Sequence, residues 1–163
     1  MSIKYRHIGH PDWKYQITED YSRKLLSCMC DATGEILGKD LDGKETKYVN
    51  VSNGRITICE GYTWNGANWF PDIECTQEAT LVHDALYQMI RENETAENWR
   101  LCADRLLYCV VTERSQQRWL ASMMYSAIRG HQQVPILGGI LGGLFGLFGG
   151  LFTDPSFDCE LCD

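Results

Sequence analysis

The chain has 163 residues, a formal net charge of −7 and a pI near 5.1. That length is enough to bury a core and suits one domain followed by a tail. No cluster of Lys and Arg stands out, which disfavours nucleic acid as a partner, since gripping a phosphate backbone takes concentrated positive charge.

The opening stretch, MSIKYRHIGHPDWKY, has no apolar run of the kind a signal peptide needs. Residues 1–60 read as β structure broken by turns at Thr33–Gly34, Asp42–Gly43 and Asn53–Gly54, the rhythm of an antiparallel meander of three or four short strands. Asn53–Gly54 is the strongest turn signal, because a type I′ turn needs positive φ at both central positions. It joins Lys47–Ser52 to Arg55–Glu60, and these strands are expected to cover one side of the helices that follow.

Eight cysteines are too few in a chain this long for a fold built on disulfides. Reduced thiols are therefore the expectation for a protein made in the cytosol. Cys102 and Cys109 stand at helical core spacing, where a thiol serves as a small hydrophobe. Cys28 and Cys30 form CxC and Cys159 and Cys162 form CxxC. Four thiolates could hold zinc, although the two pairs lie far apart in sequence.

Gly61–Asp72, GYTWNGANWFPD, is a constrained loop with aromatic anchors, placed directly before a helix. Its aromatic rings can plug the junction of sheet and helix. Its backbone carbonyls could also join Asp84 around a hard cation, which prefers oxygen donors.

From Thr76 to Thr112 two amphipathic helical patterns are joined by a short polar turn, so the helices must be antiparallel neighbours. Ala79, Val82, Leu86, Met89 and Ile90 form the first apolar stripe. Thr95 is the candidate N-cap of the second helix, which carries Trp99, Cys102, Leu106, Cys109 and Val110 on one side. His83 lies 10 residues before Asn93 and Asp104 lies 11 after it, so the hairpin brings them level. Tyr87, four residues after His83, shares its face, whereas Asp84 lies about 100° further round and points elsewhere. A His–Asp pair of this kind suits general-base catalysis, the carboxylate holding the tautomer and stabilising the imidazolium. The same residues can equally be a satisfied histidine at the border of a core and an Asp that anchors the hairpin.

Trp119, Leu120, Met123, Met124, Ala127 and Ile128 define a third packing helix, ended by Gly130, with His131 just beyond it. Val134–Phe152 then runs nineteen residues without a charged or hydrogen-bonding side chain, with Gly138, Gly142, Gly146 and Gly150 at four-residue steps. Such a repeat permits close helix contacts in a bilayer. It also suits an apolar tail docked in an oligomer or a larger assembly. The acidic residues 153–163 close the chain as a mobile tail. The expected organisation is α+β: β structure over 1–60, the glycine and aromatic loop 61–72 and helices over 76–129 make one domain of residues 1–132. The apolar segment 133–152 and the acidic tail follow it.

The motifs Gly66-Ala67, LVHDALY and CADRLLY resemble a family found mainly in tailed-phage genomes and known as domain of unknown function 1353, over roughly residues 45–130. Asn65 and Asn68 stand where that family usually has Asp and Ser. HDxxY with an Asp across a hairpin is also similar to secreted phospholipase A2, above all to the compact phospholipase domain of parvovirus minor capsid proteins. That second resemblance implies His83 as general base, Asp104 orienting it and Tyr87 bonded to Asp104. It further implies calcium held by Asp84 with oxygens from Gly61, Gly66 and Asn68. Two spacings differ from the phospholipase pattern: the loop glycines Gly61 and Gly66 are five apart, and Val82 replaces a cysteine before the histidine. Together the likenesses imply a phage-encoded, calcium-dependent ester hydrolase acting at or delivered to a bacterial envelope. Lipid, a membrane surface or other virion proteins would be its partners, with oligomers forming through 134–152 and the protein located on a virion or a host membrane. The alternative is a non-catalytic virion or tail component whose apolar segment mediates assembly or membrane insertion.

Overall fold

The computed structural model describes residues 3–39, 42–67, 73–93, 98–133 and 158–163. Seven strands are followed by three helices, an α+β arrangement. One sheet is built from β1 (Tyr5–His7), β2 (Tyr15–Ile17) and β7 (Thr63–Trp64), in the order β1-β2-β7. The other contains β3 (Tyr21–Lys24), β4 (Gly34–Lys39), β5 (Glu45–Ser52) and β6 (Arg55–Ile58), in the order β3-β6-β5-β4 and antiparallel throughout.

The β5–β6 hairpin closes as the sequence predicts. Ser52 pairs with Arg55 across Asn53 (φ 50°) and Gly54 (φ 65°), the left-handed pair of a type I′ turn. Period-two alternation then turns Val49, Val51, Ile56 and Ile58 into the core. Asp42–Gly43 lies in the β4–β5 connection, but Gly34 opens β4 and is not a turn residue. More strands exist than the three or four expected, because β1, β2 and β7 span only two or three residues each. Strands so short hold too few residues for alternation to be read from sequence, although β2 does bury Tyr15 and Ile17 and not Gln16. They are fixed by ring packing instead, with the Trp64 ring 5.3 Å from Tyr15 and 5.7 Å from Tyr5.

The helices are α1 (Glu74–Glu92), α2 (Asn98–Ser115) and α3 (Arg118–Gln133), and each packs on the next. The predicted stripe of α1 is buried at Ala79, Val82, Leu86, Met89 and Ile90. β4 approaches α1 so closely that a Cβ on Gly34 would stand 2.6 Å from Met89 Sδ. Asn93 fastens the end of α1, its amide donating to Met89 O (2.9 Å) and Glu35 O (3.1 Å). The Thr95 cap lies outside the described residues. α3 runs past Gly130 to Gln133, so His131 belongs to the helix. Its inward face begins at Leu120, Ala121 and Met124, which leaves Trp119 61% exposed rather than in the core stripe.

The cysteines depart furthest from expectation. Cys28 is bonded to Cys102, Cys30 to Cys162 and Cys109 to Cys159, with Cα separations of 6.3, 5.5 and 5.8 Å, inside the range a disulfide spans. Cys28 and Cys30, at the 3-10 turn Ser27–Met29, thus face different partners. The four-thiolate zinc set is therefore not assembled, and Cys102 and Cys109 are bridged rather than free. Cys59 and Cys75 keep their thiols. The terminus is docked over 158–163, through an antiparallel bridge between Leu26 and Leu161. The apolar segment Val134–Phe152 lies outside the described residues. Among those described, no helix is long and apolar enough to cross a membrane.

Candidate functional site

One helical turn separates His83 from Tyr87 on α1, and their rings lie 4.2 Å apart between centroids. The antiparallel α2 brings Asp104 opposite both. His83 Nε2 is 2.9 Å from Asp104 Oδ1, and the Tyr87 hydroxyl donates to the same oxygen at 2.6 Å. Asp104 is fully buried, and its other oxygen, Oδ2, accepts from Arg129 Nη1 at 3.3 Å. Arg100 lies over the Tyr87 ring, 5.8 Å from its centroid.

This arrangement dictates the tautomer. An ionised carboxylate only accepts, so Nε2 must carry the proton and donate it, and in the neutral ring Nδ1 is then an acceptor. The Asp84 carboxylate lies 3.8 Å from Nδ1, too far for a direct hydrogen bond and near enough for its charge to act on the ring. Asp84 thus turns back toward the imidazole instead of pointing elsewhere. Burial disfavours a charged His83, but the hydrogen bond to Asp104 and the negative charge of Asp84 and Asp104 outweigh it, so the pKa lies above the ordinary value. The His83 side chain is 11% exposed and that of Asp84 33%, so Asp84 forms the outer rim.

Tyr62, just after β6, approaches α1 beside this rim. Tyr62 donates to Gln88 Oε1 at 3.0 Å, and burial, followed by the Asp84 charge, pushes its phenol well above the usual range. The predicted metal donors are unequal. Asp84 is a carboxylate at the rim. The Gly61 carbonyl already accepts from Gln16 Nε2 at 3.0 Å, Gly66 is buried at φ 71°, and Asn68 lies outside the described residues. Among the described residues no three His, Cys, Asp or Glu side chains converge as a metal cluster. A hard cation at this rim would therefore have to take its oxygen donors from backbone carbonyls beside Asp84 rather than from a carboxylate cage.

Arg129 has no local signal in the sequence: it stands 25 residues from Asp104, on a helix whose stripe reads only as packing. A second polar cluster was equally hidden. Glu78, buried on α1, accepts from the Tyr21 hydroxyl (2.6 Å), Arg23 (2.8 Å) and Arg114 (2.6 Å), and Arg23 also pairs with Glu113. A cavity of about 440 Å³ beside it is lined by Ile3, Tyr5, Ile73, Glu78 and Arg114, and His83 does not line it.

The family model described as protein of unknown function (DUF1353) matches residues 41–128, more than half of the 163-residue chain. The chain belongs to that family. The DUF1353 match takes in Gly61, Gly66, His83, Asp84, Tyr87 and Asp104 and stops one residue short of Arg129. Each of the three disulfides has at least one end outside it. No match was found among curated proteins or among solved structures. The phospholipase A2 likeness therefore rests on the pattern of residues alone.

Proposed function

We propose that this member of the DUF1353 family is a phospholipase A2-like ester hydrolase, acting at or delivered to a bacterial envelope, with His83 as its general base. The observation that carries this reading is the pair His83 Nε2–Asp104 Oδ1 at 2.9 Å, with Tyr87 on the same buried oxygen. A merely structural histidine needs one such partner. Here the inner nitrogen is fully engaged and the other is turned toward the rim.

In this mechanism Nδ1 takes a proton from water as the water oxygen attacks the ester carbonyl carbon. The imidazolium formed is stabilised by Asp104, and its proton passes to the departing alkoxide. Tyr87 and Arg129 keep Asp104 from rotating, so the imidazole stays aimed. The raised pKa of His83 makes it a stronger base and sets a higher pH at which it becomes available. Asp84, with loop carbonyls and Asn68, would hold calcium, and the ion would supply positive charge to polarise the ester carbonyl.

The test is hydrolysis of phospholipid vesicles by purified protein, with calcium and then with chelator. Activity should require calcium, and His83→Gln should lower the rate by at least about a hundredfold with the fold intact. Full activity in that variant would refute the mechanism. The apolar run Val134–Phe152 favours the second reading, a virion or tail component that joins lipid, other virion proteins or further copies of itself through 134–152. An intact wild type that binds vesicles or particles and cleaves no ester supports that reading instead.

A further inference from the structure

Residues 158–163 are held to the domain in three ways. The Ser27 amide donates to Glu160 O at 2.8 Å and the Cys162 amide to Leu25 O at 2.9 Å, on either side of the Leu26–Leu161 bridge. Cys162 is buried in a seat that glycine leaves open, since a Cβ on Gly54 would stand 2.5 Å from Cys162 Cβ. Finally, Cys162 is bonded to Cys30 and Cys159 to Cys109. Both ends of residues 134–157 are thereby attached to one body, at the end of α3 and at this seat.

We propose that Cys30–Cys162 and Cys109–Cys159 form a redox-controlled clamp, in which thiol–disulfide exchange decides whether residues 158–163 stay on the Leu25–Ser27 seat. The chemistry is balanced with a small-molecule thiol as co-reactant. A thiolate attacks one sulfur of a bridge and expels the other as a thiolate. A second thiolate then cleaves the mixed disulfide, leaving two protein thiols and one small-molecule disulfide. The protein gains two electrons per bridge, the thiol loses them, and a small-molecule disulfide drives the reverse. Each bridge offers an exposed residue, Cys30 or Cys159, opposite a buried one.

Without the bridges, what remains among the described residues is two backbone hydrogen bonds and the buried Cys162, whose sulfur lies 3.2 Å from Leu26 O. Hydrogen bonds of this kind give little net stability, because water replaces them. Against them stands the conformational entropy of ordering residues 158–163 on the seat. The reduced residues 158–163 therefore leave the seat.

The experiment uses the full chain, oxidised and then treated with dithiothreitol. Tryptic digestion of the alkylated, non-reduced protein should yield one assembly containing the peptides of Cys28 and Cys30, Cys102, Cys109, and Cys159 and Cys162, which falls apart on reduction. Hydrogen exchange at the Ser27 and Cys162 amides should speed up by about tenfold or more on reduction, while that of Leu81 and Leu86 in α1 stays slow. The double variant Cys159→Ser, Cys162→Ser should show the fast exchange with or without reductant. Unlinked peptides in the oxidised protein would overturn the proposal, and so would terminal protection that survives reduction. Loss of α1 protection along with the terminus also counts against it, since the bridges would then be staples of the core.

Discussion

Arg129 donates to Oδ2 of Asp104 at 3.3 Å while His83 and Tyr87 share Oδ1, so a residue of the third helix completes the surroundings of a carboxylate buried between the first two. Removing it leaves the carboxylate with less positive charge nearby. We expect Arg129→Gln to destabilise the fold by about 1–3 kcal/mol, discounted from a fully buried pair because the Arg129 side chain is 30% exposed. The His83 pKa, followed by NMR, should rise further. A fall in that pKa would mean that Arg129 does not act on the pair.

Asp104→Asn keeps the shape of the side chain and removes its charge. The amide can donate to Nε2, which drives the proton onto Nδ1 and spoils the acceptor. Esterase activity should fall by roughly 10³–10⁴-fold and the His83 pKa should drop. Unchanged activity with a lowered pKa would separate Asp104 from catalysis.

Stability and activity should respond to pH in opposite directions. The folded His83 pKa lies above its ordinary 6.5, so folding takes up protons there. The resulting stability is fully present below about pH 6.5 and is lost as pH rises through the folded value. The general base needs the neutral ring, so kcat/KM should climb through that window. Denaturant titrations and rates across pH 5–9 measure both, and His83→Gln should flatten this part of each profile.

Glu78 is the counterion of Arg23 and Arg114, with its side chain 5% exposed. Glu78→Gln leaves Arg114 and Arg23 facing a neutral amide, with Glu113 still paired to Arg23. The expected loss is about 3–5 kcal/mol, which for a domain of this size lowers Tm by roughly 6–20 °C. Residual esterase activity per folded molecule should not change, because the cluster lies apart from His83.

The His83–Asp104–Tyr87 geometry was legible because helical spacing and a short turn are local quantities: counting residues on either side of Asn93 sufficed. The Asn53–Gly54 hairpin was legible for the same reason. Arg129, Glu78 and the disulfides were not, because sequence separations of 25, 36, 55 and 132 depend on how elements pack, which no local pattern records. The eight cysteines misled for a physical reason as well. Cys102 and Cys109 occupy helical core positions, and a bridged cysteine buries as readily as a free thiol. The small sheet escaped notice because two- and three-residue strands carry no period.

The seat for residues 158–163 has a consequence for biosynthesis. Cys30 and Cys162 are separated by 132 residues, so at ribosomal speeds the Ser27 amide and Leu25 carbonyl wait on the order of ten seconds for their partners to be made. Through that interval the nascent chain offers an unpaired edge to any neighbouring strand. This seat is filled only after α1, α2 and α3 have been translated, so a contact near the start of the domain waits on residues made long after it.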